Sequence, residues 1–236
     1  MPFVLQTRTE LILKLLVEDY IASAEPVGSK YLNERYQIGV SDATVRSEMS
    51  VLEKEGFLRQ PHTSAGRIPT EKAYVYYLQH LRNKHFVLTG TPLKNLEKNP
   101  KETEQALKRL AKKLAELSGE TAIVAFDPRW SYYVGVSNLF HKPDFQTIEL
   151  AKTLSEMIDQ FDDIIRLIYK SVPDEPHVYI GANSPFGDHM AAIVVRYTLK
   201  DDQQGVLGLV GPLRMDYNRN LALVERAKEV IDQSDL

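Results

Sequence analysis

The sequence predicts two domains, a winged helix-turn-helix with a small β-hairpin and an α+β domain behind it. Three helical patterns in the first 56 residues, followed by a strand–turn–strand pattern, predict the first domain. Apolar β-rich runs interspersed with helical stretches predict the second. A chain of 236 residues is long enough for two cores.

Composition excludes several classes of protein. The chain contains no cysteine, which excludes disulfides, zinc–thiolate sites and thiol nucleophiles. Its longest apolar run, Met190 to Val195, is far shorter than the ~20 residues that span a bilayer. The first residues lack the basic start and apolar run of a secretory signal. We therefore expect a soluble, cytoplasmic protein with no membrane partner.

Charge is nearly balanced along the whole chain. The net charge is −3, and residues 1–85 carry 11 basic and 10 acidic side chains. Bulk attraction to nucleic acid is therefore weak, and DNA binding would depend on where a few cations are placed.

Two helices are predicted at about residues 7–24 and 29–36, separated by the breaker sequence EPVGS. Apolar residues recur at helical spacing in both segments. In the first helix the predicted apolar stripe is Leu11, Ile12, Leu15, Leu16 and Tyr20, and in the second the predicted packing residues are Tyr31, Leu32 and Tyr36.

A third helix is predicted between Ser41, a good N-cap, and Gly56, a good residue beyond the C-terminal end. One face carries Val45, Met49 and Leu52 and should pack inward. The opposite face carries small or hydrogen-bonding groups and two cations, namely Ala43, Thr44, Arg46, Ser47, Ser50 and Lys54. This face is either a solvated helix surface or a recognition helix whose Arg46 reaches a base edge or a phosphate.

The segment PHTSAGRIPT, residues 61–70, is predicted to be the turn of a hairpin that starts with the strand-like residues 57–60. We expect Gly66 to adopt a positive φ and Thr70 to cap a fourth helix. The order helix, helix, helix, hairpin favours a wing beside DNA over an inert surface hairpin. In that interpretation His62, Thr63, Ser64 and Arg67 face the backbone or the minor groove.

Residues 86–101 lack periodicity and are predicted to be a linker. The following helix, about residues 102–117, has leucines at 3,4,3 spacing, which suits a core helix or a short coiled-coil seam. Five strands are predicted at residues 120–126, 130–136, 177–181, 190–199 and 205–211, with one long helix over 148–172 and a closing helix over 217–233. Together, residues 102–236 form the predicted α+β domain.

Catalytic chemistry has no support in the sequence. The phosphate-binding, dinucleotide-binding and nucleophile-elbow motifs do not occur. The six histidines show no metal-ligand spacing: His62, His80, His85, His141, His177 and His189. We expect no enzyme, no cofactor and no metal. The polar loop 181–190 either rims a pocket or only shapes a turn.

Several segments resemble the bacterial heat-inducible transcription repressors of the HrcA type. The most specific is QPHTSAGRIPT, and the distant segment GVLGLVGPLRMDYNR supports it. GVSNLFHKPDF and VYIGANSPF are also similar to stretches of that family. Two departures stand out: Ser47 replaces the family's usual Asn, and residues 118–128 run directly into Arg129 without the family's inserted dimerisation segment.

The resemblance implies a GAF-like fold for residues 102–236, with a regulatory and dimerisation role. It also implies a dimeric repressor of chaperone genes that binds an inverted-repeat operator in double-stranded DNA. Release on heat stress, and the bacterial chaperonin as modulator, follow from the same resemblance. The expected DNA-binding residues are Ser41, Thr44, Arg46, Ser47, Ser50, Lys54, His62, Thr63, Ser64 and Arg67.

Two other functions remain open from the sequence. One is a ligand-responsive transcription regulator that senses a metabolite through the GAF-like domain. The other is an interaction protein that has lost DNA binding, although the intact QPHTSAGRIPT segment argues against it.

Overall fold

A computed structural model describes residues 5, 7–62, 65–81, 103–200 and 202–234. The chain divides into two compact units, residues 1–84 and 85–236. The predicted linker, residues 86–101, lies outside the described residues.

The first unit begins with three helices, α1 (Thr7–Ser23), α2 (Ser29–Tyr36) and α3 (Asp42–Lys54). Two short antiparallel strands follow, β1 (Leu58–Arg59) and β2 (Ile68–Pro69). Helix α4 (Glu71–Tyr76) continues into a π-helical turn, Tyr77–Leu81. The three helices lie within one or two residues of their predicted ends, because breakers and caps mark those ends in the sequence.

The buried face of α1 differs from the predicted stripe. Ile12, Leu13, Leu16 and Val17 are fully buried, whereas Leu11 is 43% exposed. Leu15 and Tyr20 are only half-buried. The sequence places apolar residues on two overlapping faces of α1, and packing against α3 and β2 selects between them. In α2, Leu32 is buried as predicted. Tyr31 is 45% exposed, so the prediction that it packs in the core is wrong.

The expected positive φ at Gly66 is wrong. Gly66 is absent from the described residues that have positive φ, and close backbone approach explains the glycine instead. A Cβ atom there would lie 2.5 Å from the carbonyl carbon of Val27. Val27 and Arg67 exchange two backbone hydrogen bonds of 2.9 Å, which bind the hairpin to the α1–α2 connection.

Thr70 also differs from expectation. Its side chain makes no cap hydrogen bond to α4. Its hydroxyl instead donates to the carbonyl oxygens of Gly56 at 2.7 Å and Phe57 at 3.1 Å. Thr70 therefore joins the two ends of the hairpin, and α4 begins without a side-chain cap.

The second unit contains a five-stranded antiparallel sheet in the order β4–β3–β7–β6–β5. All five predicted strands are present: β3 (Thr121–Asp127), β4 (Trp130–Val134), β5 (His177–Ile180), β6 (Met190–Thr198) and β7 (Gln204–Pro212). The predicted β6–β7 hairpin is also confirmed. The second unit is therefore an α+β unit, as the sequence predicts.

The helices of the second unit are α5 (Thr103–Ser118), α6 (Val136–Phe140), α7 (Ile148–Asp159), α8 (Phe161–Ile168) and α9 (Tyr217–Asp232). The prediction of a single helix over 148–172 is wrong. The helix is interrupted at Gln160, which separates α7 from α8. Helices α7 and α8 pack on one face of the sheet, and α5 and α9 pack on strands β3, β6 and β7. The leucines of α5 are buried within the unit at Leu107, Leu110 and Leu114, which supports the core-helix interpretation.

A buried carboxylate joins the start of β3 to the end of β7. Glu120 is 2% exposed, and one of its oxygens accepts a 2.9 Å hydrogen bond from Lys142. Its other oxygen has no partner among the described residues, and a Cβ at Gly211 would lie 2.3 Å from it. Burial raises the pKa of Glu120 to about 7, although Lys142 and Arg214 oppose the shift.

The segment GPLRMDY lies beside this carboxylate and has internal roles. Arg214 binds both carboxylate oxygens of Asp144, with its Nε atom 3.0 and 2.9 Å away. Tyr217 donates to the carbonyl oxygen of Leu213 at 2.6 Å, and Asp216 caps α9 by accepting from the Arg219 N–H. The segment therefore secures the start of α9 to the turn that contains Asp144.

We expect the second unit to lose stability as pH rises from about 5 to 8. The pKa of Glu120 is raised above its usual 4.5, so the folded state resists an ionisation that the unfolded chain undergoes freely. Full ionisation should cost about 3 kcal/mol of unfolding free energy. Trp130, the only tryptophan, lies in this unit, so its fluorescence reports urea unfolding at each pH.

Glu120→Gln should remove most of that pH dependence. Glu116→Gln is the matched control, because Glu116 is an exposed carboxylate on α5. A pH dependence that persists in Glu120→Gln, or that disappears in Glu116→Gln, would contradict the assignment to Glu120.

Candidate nucleic-acid interface

Helix α3 has one fully buried face and one outer face. Val45, Met49 and Leu52 have no solvent exposure, as predicted. Ser41 is the N-cap, and its hydroxyl accepts from the N–H of Thr44 at 3.1 Å. The Thr44 hydroxyl lies 2.9 Å from that of Ser41. Ser41 is therefore occupied in starting the helix.

The outer face of α3 presents the predicted polar and basic side chains. Arg46, Ser47 and Lys54 are exposed, while Thr44 and Ser50 are half-buried. The Ser50 hydroxyl donates to the carbonyl oxygen of Arg46 at 2.9 Å. Small groups around Arg46 leave the helix backbone accessible to a large partner.

Contacts from α1 and α2 set the orientation of α3. Thr9 donates to one Glu48 oxygen at 2.7 Å, and Arg8 donates to the other at 2.9 Å. Both hydrogen bonds lower the pKa of Glu48, and the one from Thr9 has the larger effect. At the N-terminal end of α3, the Asn33 amide donates to Asp42 at 2.7 Å. The helix is thus held at two points by its own acidic residues.

A buried carboxylate holds α2 against α1. Asp19 is 2% exposed and lies 3.3 Å from the Nε atom of Arg35. The hydroxyls of Tyr36 and Tyr31 donate to the same Asp19 oxygen at 3.2 and 3.4 Å. The angle between α1 and α2 is therefore fixed by polar contacts as well as by packing.

The hairpin is bound to α3 by Arg67. Its Nε atom donates to Glu53 at 2.9 Å, and its Nη2 atom donates to Ser50 at 3.3 Å. The side chain is only 16% exposed, so its charge is neutralised by Glu53 and does not project from the hairpin. Arg67, predicted to face the DNA backbone or the minor groove, is instead paired with α3 in this structure.

The hairpin tip is only partly described. His62 is exposed, and its carbonyl oxygen accepts from the Ala65 N–H at 2.9 Å. The Gln60 amide donates to the Ala65 carbonyl oxygen at 2.8 Å, which braces the turn. Thr63 and Ser64, both expected at the tip, lie outside the described residues.

The sequence interpretation missed Arg59. This residue is exposed on β1, directly after buried Leu58. The alternation of buried and exposed residues in a two-residue strand is too short to predict its direction. Within the described part of the chain, Arg46, Lys54 and Arg59 have no ion-pair partner.

This arrangement favours an anionic partner despite the nearly neutral composition of the unit. Glu48 and Glu53, both on α3, are paired with Arg8 and Arg67 of the same unit. The exposed side chains of Arg46, Lys54 and Arg59 are not neutralised in this way. A polyanion that approaches α3 would meet positive charge and short polar groups, which is what a nucleic-acid backbone requires.

The polar loop 181–190 of the second unit does line a cavity. Its residues Phe186 to Met190 adjoin α7 residues Leu154 and Met157 around a volume of about 30 Å³. That volume holds about one water molecule, whereas small-molecule sites typically measure about 300–1,000 Å³. The cavity is therefore far smaller than a typical small-molecule site.

The described residues contain no group of three or more metal-ligating side chains close enough to hold an ion. They also contain no helix of the length and apolarity needed to cross a membrane.

Comparison with known proteins gives the family. The model of the HrcA protein C-terminal domain matches residues 78–221. The chain is 27% identical to the heat-inducible transcription repressor HrcA of Halalkalibacterium halodurans, over 326 aligned residues that cover 94% of this chain and 95% of the relative. Repressors of the same name from Brevibacillus brevis and Bifidobacterium longum are 45% and 44% identical over about half of this chain and about a third of their own length.

These matches define a class, the bacterial transcription repressors. Within that class the chain belongs to the HrcA family of heat-inducible repressors. The 326 aligned residues exceed the 236 of this chain, so the Halalkalibacterium relative has internal residues with no counterpart here. The names of these relatives describe transcription repressors.

A solved structure shares the fold. A crystal structure described as that of a hypothetical protein superposes with a TM-score of 0.80. The superposition covers 98% of both chains at 19% identity. At this identity the likeness concerns the fold alone.

Proposed function

We propose that this chain represses chaperone genes by binding an inverted-repeat operator as a homodimer in the cytoplasm, and that heat releases it. The observation that carries this proposal is the outer face of α3. Its exposed Arg46 and Lys54 are unneutralised, while its inner face is fully buried. Membership of the HrcA family supports the heat-inducible repression.

In this proposal residues 1–85 form a winged helix-turn-helix DNA-binding domain. Helices α2 and α3 are the helix-turn-helix, and the β1–β2 hairpin is the wing. Residues 86–101 link it to a GAF-like domain, residues 102–236, with regulatory and dimerisation roles. The order of three helices and a hairpin, and the antiparallel sheet with helices on both faces, support this division.

The proposed DNA contacts fall into two groups. Residues of α3 enter the major groove, where Thr44, Arg46, Ser47 and Ser50 meet base edges or nearby phosphates. Lys54, Arg59 and the hairpin tip, residues 62–64, meet the phosphate backbone. Ser41 and Arg67 position these groups, because their side chains are occupied by the helix start and by Glu53.

A single domain of this charge would bind weakly. One such module buries about 600–1,000 Å² on DNA, and few phosphate contacts give little counterion release. Two copies on a palindrome double the buried area and the number of phosphate contacts. They also match the two-fold symmetry of the protein to that of the operator. This is the physical reason for proposing a dimer.

Arg46→Ala should weaken operator binding. If Arg46 contacts a base edge, the loss is about 1–3 kcal/mol and discrimination relaxes at one base pair. The measurement is fluorescence anisotropy with an inverted repeat from upstream of the chaperone genes and with single-base variants of it. Lys112→Ala, which removes an exposed cation from α5, is the matched control. Equal affinities for Arg46→Ala and Lys112→Ala would contradict the role of Arg46.

Arg67→Ala and Glu53→Ala should weaken operator binding together. If Arg67 acts by holding the hairpin to α3, loss of either partner of the 2.9 Å pair disorders the same contact and costs about 0.5–1.5 kcal/mol. If Arg67 contacted phosphate directly, Glu53→Ala would free its charge and tighten binding. The salt dependence of both variants separates the two roles, since loss of a phosphate contact lowers the slope by about one.

The chaperonin is proposed as the modulator of activity. A marginally stable second domain would lose its fold on warming, and unfolded protein would compete for the chaperonin that restores it. We expect operator binding after a heating cycle to recover only when chaperonin and ATP are present. Full recovery of the purified chain alone would reject the dependence.

The rival function, a metabolite sensor, is not supported by the cavity described above. The cavity beside loop 181–190 measures about 30 Å³ and is lined largely by Phe, Leu and Met side chains. A metabolite would need roughly ten times that volume. We therefore do not propose ligand sensing.

A further inference from the structure

Strand β4 forms one edge of the sheet, and its outer side has no strand neighbour among the described residues. Its five residues, Trp130–Val134, are all half-exposed. An edge of this kind presents unpaired N–H and carbonyl groups that can pair with another strand.

The two edges of the sheet differ in length and aromatic content. Strand β5 has four residues, only one of them Tyr, and ends buried at Ile180. Strand β4 has five residues, three of them aromatic, and all five are half-exposed. A proline precedes each strand, Pro176 and Pro128, but β4 itself contains no proline and no charged residue. Natural edge strands usually carry such residues to prevent pairing, so β4 is an edge available for pairing.

We propose that β4 pairs antiparallel with β4 of a second copy of this chain, across a two-fold axis at Tyr132, to form one continuous ten-stranded sheet. Pairing centred there sets Tyr132 opposite the partner's Tyr132. It also sets Trp130 opposite the partner's Val134 and Ser131 opposite the partner's Tyr133. Aromatic pairs and aromatic–β-branched pairs are among the favourable cross-strand pairs.

The side chains of β4 are suited to strand pairing because rings on both faces of the strand are already held by contacts within the chain. Lys108 of α5 lies 5.4 Å from the ring centroids of both Trp130 and Tyr132. On the opposite face, the Tyr133 ring stacks on Phe161 at 4.9 Å. Rings held in this way lose little conformational freedom when a second strand binds.

A second copy is the partner that the strand itself fits. A two-fold interface is self-complementary, and a strand without charges brings no like charges face to face on pairing with itself. The choice also rests on the proposed function, since an inverted repeat needs two copies. The alternative occupant is a segment of the same chain, and a wild-type chain that sediments as a monomer would favour it.

Cysteine cross-linking tests the register, because the chain has no cysteine of its own. Directly opposed Cβ atoms lie about 4.5–5.5 Å apart, so Tyr132→Cys should form a disulfide-linked dimer under mild oxidation. Val134→Cys should not, because its counterpart would lie about 13 Å away along the strand. Equal cross-linking of the two variants, or none in Tyr132→Cys, would overturn the proposal.

A charge at the same position tests the interface in solution. Tyr132→Lys should raise the dimer dissociation constant at least tenfold by sedimentation, because two ammonium groups would face each other. Val178→Lys, at a half-exposed position of β5, should leave it unchanged. A Tyr132→Lys protein that stays dimeric, or a wild-type chain that is monomeric, would overturn the proposal. If Tyr132→Lys fails to fold, the cross-linking result decides.

These measurements use no DNA, so they test the β4 interface independently of the proposed repressor function. A chain that cross-links through Tyr132→Cys but binds no operator would refute the repressor and keep the β4 interface. A chain that binds the operator as a dimer without cross-linking at position 132 would refute the β4 interface and keep the repressor.

Discussion

The ion pairs that α3 makes through Glu48 and Glu53 determine the electrostatic character of the first unit. Each carboxylate binds a cation of the same unit, Arg8 or Arg67. The same pairs orient α3 against α1 and against the hairpin. Net charge near zero therefore coexists with an exposed face whose cations are free to meet a polyanion.

The hairpin is bound both to the α1–α2 connection and to α3, so its position in the first unit is fixed. Backbone hydrogen bonds join Arg67 to Val27, and the Arg67 side chain joins Glu53 and Ser50. Gly66 is needed because the two backbones approach too closely for a Cβ atom. The segment PHTSAGRIPT, residues 61–70, thus sets the hairpin beside α3, and its polar tip is the part that the proposed function assigns to the DNA backbone.

The second unit combines a well-packed sheet with features that cost stability. Glu120 is buried with one unpartnered oxygen, and Asn220 is fully buried without partners for its amide among the described residues. Unsatisfied buried polar groups each reduce the margin of stability. A unit with a small margin suits the proposed release on warming, and an edge strand without charges suits the proposed dimer.

Local sequence determined the elements of this protein, and tertiary structure decided how they are used. Ser41, Gly56, the prolines and the β-rich runs mark helix ends and strands, since caps and breakers act over a few residues; the inward residues of α3 follow from helical periodicity. The buried face of α1, the break at Gln160, the reason for Gly66 and the pairing of Arg67 with Glu53 depend on neighbours far along the chain. The same distant contacts leave Arg46, Lys54 and Arg59 without an ion pair among the described residues, because a charge is free only when no folded neighbour neutralises it.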